Sequence, residues 1–470
     1  MNKRLFKQLS IVILLGALSA CGGGGTGTSA SIGGGIGGTG VTAAGTITAL
    51  GSISVNGIKY DTSSAAITVD GRSATESDLK LGMFVTVTGT VDSSGVSGTA
   101  NSVDFDDEVQ GPVKGLDPAT TGNPSRTFTV LGVTVVADRI STVFDAISLS
   151  ALLDDDLIEV SGLIDNTGKL QATRIEKKGR FMANSSEIEV KGTVSNLSGN
   201  TFNLGSLAVT AAANIDLSAI SNGSRVEVKG TLDAAQTHLF ATTVGLKSGL
   251  FSSDVNKASL EGIVSNFVSN NNFTVSGQAV DASKASFQPV GTALANGLEI
   301  EVEGPIVNGI LNATKIELRD GTVELEARVS SVDPATSLIT LQFTPGTVAF
   351  MVNSKTSIRD DASGNSLTIN NINATDFLEV EGFIDSTGNV IASEVKRDQP
   401  DDDVIQGPVQ SLDAVSGDIS LLGLTFGTDA TTSFKPSPAS SFFTSAGPNT
   451  IVKIKDKNRD GVAEEAEIEN

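Results

Sequence analysis

DLIEVSGLIDNTGKLQATRIEKK, at residues 156–178, and DFLEVEGFIDSTGNVIASEVKRD, at 376–398, are two copies of one pattern. Each begins with a strand of the form xVxVxG, passes through a turn rich in Asp, Asn and Gly, and closes with a strand of the form ATxIE. Alternation with a period of two puts Val and Ile on one face, toward a core, and Glu and Lys on the other, facing out. The glycine that ends the first strand suits a bulge or bend where a small barrel turns its corner. IDNTG and IDSTG have the residue chemistry of hairpin turns.

Weaker copies extend the pattern along the chain. They read LGMFVTVTGTVDSSGVSGTANSV at 81–103, NGSRVEVKGTLDAAQTHLFATTVGL at 222–246 and NGLEIEVEGPIVNGILNATKIEL at 296–318. VQGPVKGLD at 109–117 likewise matches IQGPVQSLD at 405–413. The repeat divides the chain into six units, at 42–106, 109–178, 187–247, 258–319, 323–398 and 404–470, the last more divergent. Each opens with a strand such as EVKGTVSNL (189–197), followed by a second such as RTFTVLGVTVVA (126–137) or NNFTVSGQAVDA (271–282). About five short strands in roughly 60–75 residues predict an all-β fold: a tandem array of about six small OB-like β-barrels. An immunoglobulin-like array needs domains of about 100 residues, longer than this spacing allows.

The GxVxxL opening, the FTVxGxxV second strand, the VEVxGxxD strand and the ATxIE ending resemble bacterial envelope proteins built from a domain of unknown function, the DUF5666 type. The resemblance covers essentially the whole chain beyond residue 40. It implies tandem small barrels carried on lipoproteins, and it supplies no catalytic residues.

The N-terminus points to the same setting. MNKRLFKQ carries Lys3, Arg4 and Lys7, and LSIVILLGAL at 9–18 is an apolar run too short to span a bilayer. It ends in Leu18-Ser19-Ala20-Cys21. A basic segment, an apolar segment and small residues before a cut describe a secretory signal. The cysteine makes residues 1–20 resemble a bacterial lipoprotein signal peptide, which implies cleavage before Cys21 and lipidation there. Several acyl chains anchor firmly, each buried methylene adding about 0.8 kcal/mol. Residues 22–40, GGGGTGTSASIGGGIGGTG, are a flexible tether with an average reach of about 24 Å; with Cys21 it forms the segment 21–41. With Gly22 after the cysteine, the lipoprotein resemblance implies the outer membrane, periplasmic or surface face left open.

Composition excludes several chemistries. The net charge of −22, or −25 once Lys3, Arg4 and Lys7 are removed with the signal, opposes nucleic acid and anionic headgroups. Cys21 is the single cysteine, so no disulfide forms within the chain. His238 is the single histidine and tryptophan is absent, which removes zinc and haem sites built on His and Cys and leaves a Ser-His-Asp triad only His238. His238 itself reads as a surface histidine, and phenylalanines such as Phe128, Phe202 and Phe273 read as core.

DKNRDGVAEEAE at 456–467 matches the calcium-loop pattern D-x-[DN]-x-[DN]-G-x₅-E, with Asp456, Asn458, Asp460, Gly461, Glu464 and Glu467 at its ligand positions. The flanking IVKIK and AEIEN read as strands, where an EF-hand needs helices. The plain reading is a hairpin turn of the last unit. Asp456, Asn458, Asp460, Glu464 and Glu467 are the metal-ligand candidates, for weak calcium, and no other cofactor is expected. Carboxylates cluster at Asp104, Asp106, Asp107 and Glu108, at 154–156, and at 401–403; they read as solvated, the first and last as linkers that keep neighbouring barrels apart, with cation binding between domains as the alternative. Paired carboxylates could hydrolyse glycosides, but no apolar pocket or aromatic platform accompanies them. The sequence therefore predicts a non-enzymatic envelope lipoprotein that binds an envelope protein or surface polymer through repeated barrels, with a ligand-free spacer and, further off, a polysaccharide hydrolase as alternatives.

Overall fold

The computed structural model describes residues 40–469, apart from positions 94, 119–124, 248, 252–253, 289, 320–321, 386 and 449. Within this span the repeat becomes strands in a fixed order. In the second unit these are Val109–Lys114, Ser125–Val130, Val133–Asp138, Asp156–Ile164 and Leu170–Arg180. The first three form a meander, the third pairs in parallel with the fifth, the fifth runs antiparallel to the fourth, and the fourth returns to the first. The order 1-2-3-5-4-1 closes a five-stranded barrel of OB type. Units one, three, four and five close in the same way. In the sixth, the parallel closure is reduced to one bridge, Gly427 to Val462. We number the barrels 1 to 6 in chain order.

The glycines explain the closure. Gly89, Gly162, Gly230 and Gly382 sit where the fourth strand shifts register against the fifth. A Cβ at any of them would lie 2.1–2.2 Å from a carbonyl oxygen of the fifth strand. Only glycine lets the bulged strands approach so closely. The aliphatic face of each alternating strand fills its barrel: Val226, Val228, Ile300, Val302, Leu378 and Val380 are all fully buried. Phe128, Phe202 and Phe273 are buried as well, in the core role expected of them.

The barrels are not independent beads. The opening strand is longer than its pairing with the second strand requires, which leaves one edge of its first half free, and in every barrel that edge pairs with the opening strand of another. Val109 and Gln110 of barrel 2 pair antiparallel with Val190 and Glu189 of barrel 3. Glu324, Leu325 and Glu326 of barrel 5 pair antiparallel with Gln406, Ile405 and Val404 of barrel 6. Barrel 1 passes over its sequence neighbours: Thr42, Ala43 and Ala44 pair in parallel with Ala258, Ser259 and Leu260 of barrel 4. Three continuous sheets result, and the strands Arg72–Ala74, Val143–Asp145, Ser286–Gln288 and Ser433–Lys435 at their ends are three residues long. Short edges of this kind offer little template for a further strand.

This packing corrects the reading of the charged face. Glu and Lys of the alternating strands do point away from their own barrel, but many point into a neighbour. Glu159, Glu189, Glu261, Glu301, Glu326 and Glu379 are all at most 6% exposed, too buried for a solvated face.

Candidate functional site: the charged seams between barrels

Four barrels meet at one polar cavity of about 70 Å³. Thr46 and Gly82 reach it from barrel 1, Ser141 and Thr173 from barrel 2, and the charged side chains from barrels 4 and 5. Glu261 accepts the backbone N–H of Thr46 at 2.8 Å and its hydroxyl at 3.2 Å. Gly45, one residue earlier, has no room for a Cβ because the Asn56 side chain lies on it. Asn56 in turn donates to the Ser259 hydroxyl of barrel 4 at 2.7 Å, and Ser259 donates to Glu301 at 2.9 Å. Arg359 pairs with Glu394 at 2.9 Å and also donates to the carbonyls of Ile140 and Thr142 in barrel 2.

The cavity holds more acid than base. Glu261, Glu299, Glu381 and Glu394 line it with Arg319 and Arg359. Burial pushes the Glu394 carboxyl up to about 7, against the pull of Arg359. Burial, then Asp138 and Glu324, push Glu381 well above the ordinary glutamate range. Burial works against the charge of Arg319, but Glu261, Glu301 and Glu299 outweigh it and hold the guanidinium charged. A water centre needs about 10–15 Å³, so the cavity has room for roughly five waters. Small-molecule sites run to about 300–1,000 Å³. The arrangement therefore suits hydrating a charged seam rather than enclosing a substrate.

Beside the cavity, barrel 2 is bolted to barrel 5. Arg139 forms ion pairs with Glu326, at 2.6 Å, and with Glu379. Lys396 reaches the same Glu379 at 2.8 Å and donates to the Arg139 carbonyl at 3.2 Å. Barrel 4 is tied to barrel 5 through Lys355, which pairs with Glu301 and, at 2.7 Å, with Glu317. Lys453 of barrel 6 reaches Glu324 of barrel 5 at 2.5 Å.

A second seam joins barrels 1, 2 and 3, and it overturns the solvated-linker reading of residues 104–108. Asp106 takes Lys247 at 2.6 Å and Lys191 at 3.2 Å; Glu108 takes Lys191 at 3.1 Å and Arg225 at 3.5 Å. Lys229 pairs with Glu189 at 2.7 Å and with Glu227 at 3.1 Å, and Lys247 reaches Glu227 at 2.6 Å. Like charges do not hold the barrels apart here; lysines of barrel 3 draw the linker in. Burial and a hydrogen bond to Glu227 raise Glu189 to about 9. Glu227 is held low despite its own burial, chiefly by Glu189 and Lys247. The other clusters are also partly drawn in: Asp156 is buried beside Lys177 and Arg180, and Asp403 beside Arg459.

The C-terminal loop is the hairpin turn between strands Ile451–Asp456 and Glu465–Ile468. Asp456 accepts the backbone N–H groups of Asp460 and Gly461, at 3.1 and 2.8 Å, and Asp460 accepts that of Val462 at 2.9 Å. Glu464 accepts the Lys457 N–H at 2.7 Å and the Asn458 side-chain amide. Glu467 lies on the closing strand and pairs with Lys435 at 2.8 Å. The five candidate ligands are not drawn to one point, because their oxygens serve the turn and a neighbouring strand. His238 lies 2.9 Å from the Thr210 hydroxyl and stacks on Phe240, with centroids 4.7 Å apart. Cys21 lies outside the described residues, as does the tether up to residue 39.

Sequence reading missed the cations of the seams: Arg139, Arg319, Arg359 and Lys396. Their signal is a basic residue in or beside a mostly apolar strand, as with Arg139 after VTVVAD at 133–138, in a chain whose acids outnumber its bases 54 to 32.

Fold and seams define a class: an all-β protein of tandem OB-like barrels packed through ionic faces. The chain belongs to the family described as domain of unknown function (DUF5666), whose model matches residues 44–104, 110–176, 191–245, 261–317, 326–396 and 406–465, one stretch in each barrel. No curated protein matches the chain.

Proposed function

We propose that this protein is a non-enzymatic cell-envelope lipoprotein, anchored through lipid on Cys21, that works as a rigid display or interaction body. One observation carries the reading: the face that the repeats share is spent on the seams between barrels. Six equivalent outward sites acting by avidity are not what such packing offers. A partner, an envelope protein or a surface polymer, meets one composite surface made of unlike loops. The shared carboxylates are engaged by lysine and arginine, which supports a structural role for them over a hydrolytic one. The same observation favours a second reading, a spacer without a ligand.

The test has two arms on the full chain. Fractionation of cells should place the protein in the outer membrane and Cys21→Ala in the soluble fraction; an unchanged distribution sinks the anchor. Crosslinking in intact cells followed by affinity capture should recover a specific envelope partner. Recovery of none, with function falling as the chain is shortened, would leave the spacer.

A further inference from the structure

Three carboxylates from three parts of the chain converge at the seam of barrels 1 and 3. One oxygen each of Asp70, Asp106 and Glu189 lies within 4.8 Å of the others. Asp70 sits in a turn of barrel 1, Asp106 follows its last strand, and Glu189 stands in the opening strand of barrel 3. A second observation is independent of that convergence. Asp107 is 1% exposed, and its Oδ1 has no hydrogen-bond partner among the described residues. Burial, then Glu189, Glu159 and Asp70, push Asp107 well above the ordinary aspartate range, which sets it close to two members of the cluster. A carboxyl oxygen buried without a donor is costly and calls for a proton or a counter-charge.

Most of the other carboxylates around it stand in ion pairs. Lys191, Lys229, Lys247 and Arg225 offset Asp106, Glu108, Glu189 and Glu227, and Lys178 offsets Glu159. Asp70 and Asp107 form no ion pair with a described residue. The donors are all hard carboxylate oxygens, without histidine or sulfur, and calcium accepts such a set in an irregular shell completed by water. Asp70 and Asp106 are half-buried, which gives an ion a way in.

We propose that this seam binds one calcium ion through Asp70, Asp106, Asp107 and Glu189, clamping barrel 1 to barrel 3.

The experiment is calorimetric titration of the chelator-treated full chain with calcium chloride near neutral pH. It is paired with thermal unfolding. The expected result is one equivalent bound with Kd of about 0.1–1 mM, as in extracellular modules, with a raised melting temperature. Asp70→Asn and Glu189→Gln should each weaken binding about tenfold or more, while Asp460→Ala in the C-terminal loop should leave it intact. Asparagine tolerates the positive φ of 50° at position 70, so Asp70→Asn carries the test if Glu189→Gln fails to fold. Absence of binding heat with an unchanged melting temperature overturns the proposal. So does binding that survives Asp70→Asn but is lost in Asp460→Ala.

Discussion

The two faces of one strand in barrel 5 set the barrel interiors against the seams. In LEVEG, 378–382, Leu378 and Val380 are fully buried in the barrel's apolar core. Glu379, between them, is equally buried, yet it meets Lys396 and the Arg139 of another barrel. Both residues are shut off from bulk solvent, and only one face is apolar. Apolar burial is non-directional and serves to make a barrel. A buried charge is costly unless its partner is in place, so the seam penalises the wrong neighbour. The interior makes each barrel and the seam selects its position.

The sharpest way to separate the two is to damage each in turn. Phe350→Ala opens a hole in the barrel 5 interior and should cost about 3–5 kcal/mol, read as a lower denaturant midpoint. Lys396→Ala leaves Glu379 buried with Arg139 alone and should cost about 3 kcal/mol. The double replacement Glu379→Leu with Lys396→Met should recover most of that loss while loosening the docking of barrel 2, seen as faster amide exchange near Ile140. If the double variant exchanges like wild type, the seam does not select position. Next comes pH. Burial raises Glu394 to about 7, so between the ordinary glutamate range and about pH 7 the folded chain holds a proton that the unfolded chain has lost. Stability should therefore rise as pH falls from 8 to 5, and Glu394→Gln should flatten that slope. Below that window Asp360 and Asp165, both held low in the fold despite burial by side-chain hydrogen bonds such as those from Arg397 and Thr167, should reverse the trend as they are protonated. The smallest effect belongs to Arg72 and Glu187, an ion pair 73% and 55% exposed; Arg72→Ala should change stability by less than about 1 kcal/mol.

The interiors were legible in the sequence and the seams were not, for a physical reason. Alternation in VEVKG and IEVEG reports which side of its own strand a residue takes, and the glycines at 162, 230 and 382 mark the bulges by their residue type alone. Nothing local reports what lies beyond the barrel wall. Asp106 and Glu108 read as a solvated acidic run because their partners Lys191, Arg225 and Lys247 stand 80 residues or more away. The C-terminal motif shows the converse: a sequence with every ligand type of a calcium loop can direct those oxygens into its own turn when strands, not helices, flank it.

The pairing of Thr42–Ala44 with Ala258–Leu260 also sets a clock. A chain made from its N-terminus at about 5–20 residues per second needs roughly 10–40 s to extend from the first of these strands to the second. Barrels 2 and 3 can close and join during that interval, while barrel 1 waits with its seam edge open. For that time the oldest part of the protein is its least finished part. Two nascent copies that meet then could exchange that edge, so a holding chaperone would be needed most at the start of the chain and least at its end.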